Sequence, residues 1–204
     1  DFCLSRGLGD VYKRQPLVIF CKGSLEFNQF NNKKISIVGT RKMTNYGRNF
    51  ITELIEGLAD FDVTIVSGLA YGCDIEAHTN ALKNNVATWS VMGTNFERIY
   101  PATHKKIAIE ILQKGGWITE QPSFKIATPE AFLQRNRIIA GLSDVTIVVE
   151  SAFKGGSLVT AKFANEYNRE VFALPGKSTD ALSIGCNYLI KSHQAYFCLL
   201  YTSP

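Results

Sequence analysis

Short apolar runs rich in β-branched residues alternate along this chain with stretches of helical period. Asp144–Glu150 (DVTIVVE) is almost continuously apolar, as expected of a parallel strand covered on both faces. Lys34–Val38 (KISIV), Val63–Val66 (VTIV), Val86–Met92 (VATWSVM), Trp117–Glu120 and Glu170–Leu174 (EVFAL) predict further strands. Pro16–Phe30 predicts a short strand and a polar turn, and Ala195–Phe197 a terminal strand. Between the strands, Tyr46, Phe50, Ile51, Leu54, Ile55 and Leu58 fall on one helical face. Further helices are predicted from about Asp74 to Lys83 with Asp74 as N-cap, over His104–Lys114, and over Pro129–Ala140 with proline in the first turn. Two more are predicted at Ser157–Tyr167 and at about Gly185–Lys191. Strands and helices alternating at this spacing imply an α/β fold, a three-layer sandwich with a mostly parallel sheet.

The bulk properties narrow the class. A chain of 204 residues fits one ordinary domain, and 46% hydrophobic with 20% charged residues is globular. The net charge of +4 permits a polyanionic partner without demanding one. No apolar run approaches the roughly 18 residues a membrane span needs, so no membrane partner and a cytoplasmic location are expected. Cys3, Cys21, Cys73, Cys186 and Cys198 are odd in number and lack CxxC spacing, which argues against disulfides or structural zinc. Residues 1–15 and 198–204 show neither period nor caps and read as translated adapter sequence. A single domain over residues 16–197 is expected.

In such sheets ligands sit beyond the carboxyl ends of the strands. The loops carrying Gly39, Gly68, Gly93, Glu120, Glu150–Gly156 and Pro175-Gly176 should share that edge. Ser151–Gly156 (SAFKGG) leads from the strongest strand into a helix at Ser157. Its glycines let backbone approach a ligand, and a helix start with open N–H groups suits an anion. The plainer reading is an ordinary β–α turn with Ser157 as the N-cap. Lys154 sits in the turn; Arg135 and Arg137 precede the strand. Arginine suits bidentate phosphate recognition, although one of these two can instead pair with Glu120 or Glu150. Phe132 and Phe153 lie near the cations and are either core or platforms for unpaired bases.

Other chemistries lack their residues. The first strand is not followed by G-x-G-x-x-G, the second ends in Ser67-Gly68 rather than an acid, and Walker A is absent. A dinucleotide cofactor is therefore not expected, nor any other. Asp74 and His78 share a helix face, but His78 aligns with Ile75 and Leu82, which makes it a structural histidine. His104, beside Lys105 and Lys106, reads as an exposed helix start. No G-x-S-x-G elbow occurs. The pattern describes a binding site rather than a catalytic one.

Several segments then combine: Ile37–Arg41 (IVGTR), Ser67–His78 (SGLAYGCDIEAH), Tyr100-Pro101, Arg135–Asp144 (RNRIIAGLSD), Lys154–Ala161 (KGGSLVTA), Arg169–Gly176 (REVFALPG) and Gly185–Ile190 (GCNYLI). In this order, over roughly Leu17 to Phe197, they resemble the DNA-processing protein A (DprA/Smf) family. The resemblance implies a Rossmann-like fold and a homodimer that binds single-stranded DNA, protects it and loads RecA recombinase during natural transformation. It implies no enzymatic role. Carried onto this chain, the resemblance implicates Arg41, Arg135, Arg137 and the Lys154–Ser157 turn, with backbone N–H groups at 155–157 taking phosphate. Together with the reading of the residues themselves, the expected DNA or phosphate contacts are Gly39, Thr40, Arg41, Ser67, Gly68, Phe132, Arg135, Asn136, Arg137, Lys154, Gly155, Gly156 and Ser157. The family more often has serine at the position of Gly155, and Ser-Glu where Thr119-Glu120 stand. Two flanking modules common in the family have no counterpart here, which truncation or a short form would explain. The rival is a nucleotide sensor or a nucleoside-monophosphate phosphoribohydrolase on a related fold, with Glu120 or Glu150 as its acid.

Overall fold

The computed structural model describes residues 16–24, 31–124 and 128–200. Its elements, in chain order, are β1 (Phe20–Gly23), β2 (Lys33–Val38), α1 (Asn45–Leu58), β3 (Val63–Ser67), α2 (Cys73–Lys83), β4 (Ala87–Val91), α3 (Lys105–Lys114) and β5 (Gly115–Thr119). They continue with α4 (Pro129–Leu142), β6 (Val145–Val148), α5 (Gly156–Glu166), β7 (Glu170–Ala173), α6 (Ile184–Lys191) and β8 (Tyr196–Phe197). The described strands form one sheet in the order β1-β5-β4-β3-β2-β6-β7-β8. Only β1 is antiparallel to its neighbour. The expected α/β sandwich with a mostly parallel sheet is what forms.

The continuous apolar strands have a direct cause. Val38, Val66 and Val148 face one side, where Ile138 and Ile139 of α4 and Ala161 and Ala164 of α5 cover them. Their neighbours Ile37, Ile65 and Ile147 face the other side, under Phe50, Ile51 and Ile55 of α1 and Ala77 and Ala81 of α2. A polar residue on either face of these central strands would enter a core, so the alternation of half-exposed strands disappears. Each such buried isoleucine contributes about 1.5–3 kcal/mol relative to exposure. A third cluster, Leu69, Met92, Ala108, Ile111 and Trp117, seats α3.

Four local expectations are corrected. Asp74 is not an N-cap: α2 starts at Cys73, and Gly72 occupies the cap position at φ 74°. A Cβ at Gly72 would overlap the Thr40 carbonyl, while the Cys73 N–H donates to that carbonyl at 3.2 Å. Close docking of the helix against the turn after β2 therefore sets its start. Ser157 is likewise inside α5, whose cap position is Gly155, and its hydroxyl donates to Ser151 Oγ at 2.9 Å. His104 is buried rather than exposed, with Nδ1 2.8 Å from the Leu69 carbonyl. Leu69 itself stands at φ 112°, a conformation residues with a side chain rarely adopt. The strand expected at Trp117–Glu120 takes in both preceding glycines, because Gly115 runs directly against Thr88 of β4.

The ends of the chain fall partly outside the described residues, as do residues 1–15 and Cys3 with them. Cys198 is described, and its N–H donates to the Ala173 carbonyl at 2.9 Å. Cys21, Cys73, Cys186 and Cys198 are all free thiols. Burial pushes the Cys73 thiol well up and the Cys186 thiol up to about 12. Both therefore behave as small core side chains.

Candidate functional site

The sheet order reverses at β2, which has β3 on one side and β6 on the other. From β2 the chain winds outward through β3, β4 and β5, then returns to start β6 beside β2. The loops leaving β2 and β6 consequently diverge, and a crevice opens between their carboxyl ends. A cleft of about 370 Å³ lies there. Its walls are the Gly39–Arg41 turn after β2, the Gly155–Ser157 entry of α5, and Phe132, Arg135 and Asn136 of α4.

Glu150 ties the two loops together. One carboxylate oxygen accepts from the Thr44 N–H at 2.8 Å and the other from the Thr44 hydroxyl. The Thr40 N–H donates to the Glu150 carbonyl at 2.7 Å. With both side-chain oxygens committed, Glu150 is a clamp holding the mouth of the cleft in shape.

The α5 entry has two glycines with different reasons. The Gly155 N–H donates to the Ala152 carbonyl at 2.9 Å, and a Cβ there would collide with Ser151 Oγ. Gly155 is therefore a packing glycine whose N–H is taken, which removes it from the expected N–H donors. Gly156 is different: a Cβ there would meet nothing within 4 Å. Gly156 and Ser157 head the helix, where N–H groups have no intrahelical acceptor and the dipole is positive. Asn136 Nδ2 donates to the Gly156 carbonyl at 3.3 Å and joins α4 to this entry.

The arginines divide into three roles. Arg41 is exposed at the mouth and lines the cleft together with two smaller adjoining hollows. Arg135 is only 7% exposed; its guanidinium donates to the Val91 carbonyl, and its Nε donates to Asn136 Oδ1 at 3.2 Å. Across the α-carbon of Gly68 it faces Asp74, also 7% exposed, whose carboxylate accepts from the Ala70 N–H at 3.3 Å. Burial drives the Asp74 pKa up and the Arg135 pKa down, each opposed by the charge of the other. Arg137 does not line the cleft: it pairs with Glu120, and each side chain is only 14% exposed.

Ser67 is buried beneath the site and donates to the Ile37 carbonyl at 2.6 Å. Lys154 is exposed on the loop before α5, outside the cleft wall. Phe132 is half-buried and packs against Tyr100 with ring centroids 5.2 Å apart. Tyr100 itself is exposed and lines both adjoining hollows. Sequence reasoning passed over Tyr100 and Asp74 as site residues. Nothing local in the sequence marked Asp74, because its approach to Gly68 and Arg135 is set by packing between elements. His78 is fully buried with Nδ1 2.7 Å from Thr88 Oγ1, and burial lowers its pKa to about 3. It is structural, as expected. Among the described residues no cluster of His, Cys, Asp or Glu is arranged to hold a metal, and no helix is long and apolar enough to cross a membrane.

The sequence profile of the family described as DNA recombination-mediator protein A matches residues 5–202. A Streptococcus pneumoniae relative named DNA processing protein DprA is 37% identical over 191 residues, covering 94% of this chain and 66% of its own length. The solved structure of the pneumococcal protein superposes with a TM-score of 0.83 at 36% identity, over 90% of this chain and 63% of that one. A Helicobacter pylori structure, described by its single-stranded DNA binding mode, superposes with a TM-score of 0.81 at 32% identity, over 89% and 82%.

Proposed function

This chain belongs to the DNA recombination-mediator protein A family, and on that premise we propose that it binds single-stranded DNA in the cleft between β2 and β6. The observation that carries the reading is Arg41, an exposed cation shared by the cleft and both hollows beside it. A strand's phosphates would sit against Arg41, the Gly156 and Ser157 N–H groups, and Lys154 at the rim. Its bases would turn toward Phe132 and Tyr100, which lie beside the same arginine. Stacking of this kind needs an unpaired base with a free face, so a single strand is favoured over a duplex.

Arg135 would contribute differently. Its guanidinium is held by the Val91 carbonyl and balanced by Asp74, so it supplies a fixed donor at the floor of the cleft rather than a mobile charge. Such preorganisation lowers the ordering cost of binding. Arg137, paired to Glu120, would act by fixing α4 and with it Phe132 and Arg135.

The finer reading is a cytoplasmic homodimer that protects incoming single strands and loads RecA recombinase during natural transformation. It acts by binding and not as an enzyme. Family membership and the relative described as a single-strand binder support it; the chain spans 66% of the pneumococcal relative's length. A second reading has one observation in its favour: a cleft of about 370 Å³ falls in the range of small-ligand pockets and would hold one nucleotide. Glu150, committed to Thr44, and Glu120, committed to Arg137, are poorly placed as the acid a phosphoribohydrolase needs. Competition separates the two: displacement of oligo-dT by single strands but not by nucleoside monophosphates supports the first. Release of free base from a nucleoside monophosphate supports the second.

A further inference from the structure

The loop that enters α5 has an outer side as well as the side that lines the cleft. Phe153 is 57% exposed there, beside Lys154. Tyr188 of α6, 45% exposed, meets it edge to face with ring centroids 5.5 Å apart. In that arrangement one ring spends only its edge on the contact, and its faces are not used by the pair.

The pair is rigidly joined to the cleft. The Ser151 N–H donates to the Leu182 carbonyl at 2.7 Å, and the Gly185 N–H donates to the Ser151 carbonyl at 2.8 Å. A Cβ on Gly185 would stand 2.7 Å from both the Ser151 and Ala152 carbonyls, so α6 docks onto the loop only because residue 185 is glycine. The same few residues therefore set the α5 entry on one side and the aromatic pair on the other.

We propose that Phe153 and Tyr188 form a second stacking platform, which takes an unpaired base of the same strand after it has passed the Gly156 cradle. The proposal rests on the single-strand reading of the cleft. Two observations select a base as the occupant. The platform is continuous with the cleft through one loop, and Lys154 stands beside it to meet a phosphate. A base covers one ring face.

The test compares oligo-dT with an abasic oligomer of equal length, by fluorescence anisotropy, for the wild type and for Phe153→Ala, Tyr188→Ala and Phe153→Trp. Both alanine variants replace exposed side chains, and circular dichroism checks that they fold. The expected result is a loss of about tenfold for oligo-dT in each alanine variant, unchanged affinity for the abasic oligomer, and restoration by Phe153→Trp. Wild-type affinity for oligo-dT in both alanine variants, or an equal loss on both ligands, overturns the platform. So does a loss that appears only together with a shift from dimer to monomer in sedimentation, which would assign the pair to a second copy of the chain. Failure of the wild type itself to bind oligo-dT would instead overturn the reading of the cleft.

Discussion

Asp74 and Arg135 face each other across the α-carbon of Gly68, and no side chain fits between them. A Cβ at position 68 would lie within 3.0 Å of the Asp74 carboxylate and of both terminal guanidinium nitrogens. Glycine is required here by the closeness of two buried charges. Gly68→Ala should therefore push Arg135 out of its place, weaken single-strand binding and lower thermal stability. Asp74→Ala should cost about 1–3 kcal/mol, because the Ala70 N–H loses its acceptor and Arg135 its counter-charge. At about 2–4 °C per kcal/mol for a chain of this size, a melting curve resolves both. An unchanged Tm in Asp74→Ala would mean that water replaces the carboxylate without loss.

Gly156→Ala makes the opposite prediction. Its Cβ would enter open space, and alanine is the better helix former by about 1 kcal/mol in a helix interior. Stability should hold or rise slightly while affinity for oligo-dT falls severalfold, since the ligand is expected to approach that α-carbon. Undiminished binding in this variant would move the phosphate away from the α5 entry.

The Glu120–Arg137 pair should behave as a lock and not as a contact. Glu120→Gln and Arg137→Gln each leave one largely buried charge without its partner and should destabilise by more than an exposed pair's about 0–1 kcal/mol. The exchange of the two, Glu120→Arg with Arg137→Glu, should recover part of the loss. Neither single variant should change the slope of affinity with salt, because Arg137 would not be touching phosphate. A salt slope reduced by Arg137→Gln would return that residue to the binding surface.

These cases show how far the sequence could be read. Element types were legible because strands covered on both faces must be continuously apolar, and α1 shows its period through Phe50, Ile51 and Ile55. The switch-point position of the cleft followed from the order of those elements. What stayed hidden was the division of labour among like residues. Arg135 and Arg137 are two positions apart on one helix and therefore point to different neighbours, which only the packing identifies. Gly155 and Gly156 look alike in the chain; one is fixed by Ser151 and the other is open. Asp74 resembled an N-cap because the docking of Gly72 on Thr40 is a long-range contact with no local signature.

His78 gives a pH dependence with a definite sign. The Thr88 hydroxyl donates to the Ile65 carbonyl at 3.1 Å, so His78 Nδ1 carries the proton given to Thr88, and the ring is neutral. Burial lowers its pKa from 6.5 to about 3. Below pH 6.5 the unfolded chain takes up a proton that the fold refuses, so this group lowers stability by about 1.4 kcal/mol per pH unit until about pH 3. Asp74, whose pKa burial raises, contributes with the opposite sign. A His78→Gln variant keeps Asp74 and isolates the difference. It should start less stable at neutral pH and lose stability more slowly on acidification, as read by thermal melts. Parallel pH profiles would contradict the assignment.

The most direct measurement is the anisotropy of labelled oligo-dT titrated with the protein across a range of salt, with duplex as competitor and Arg41→Ala alongside. The account predicts single-strand binding that duplex displaces poorly, with log K falling by about 0.7 per phosphate contacted for each tenfold rise in salt. Arg41→Ala should weaken binding and reduce that slope by about one contact, with its Tm unchanged. Folded protein that binds no single strand at low salt, or an Arg41→Ala variant with wild-type affinity and slope, would contradict it.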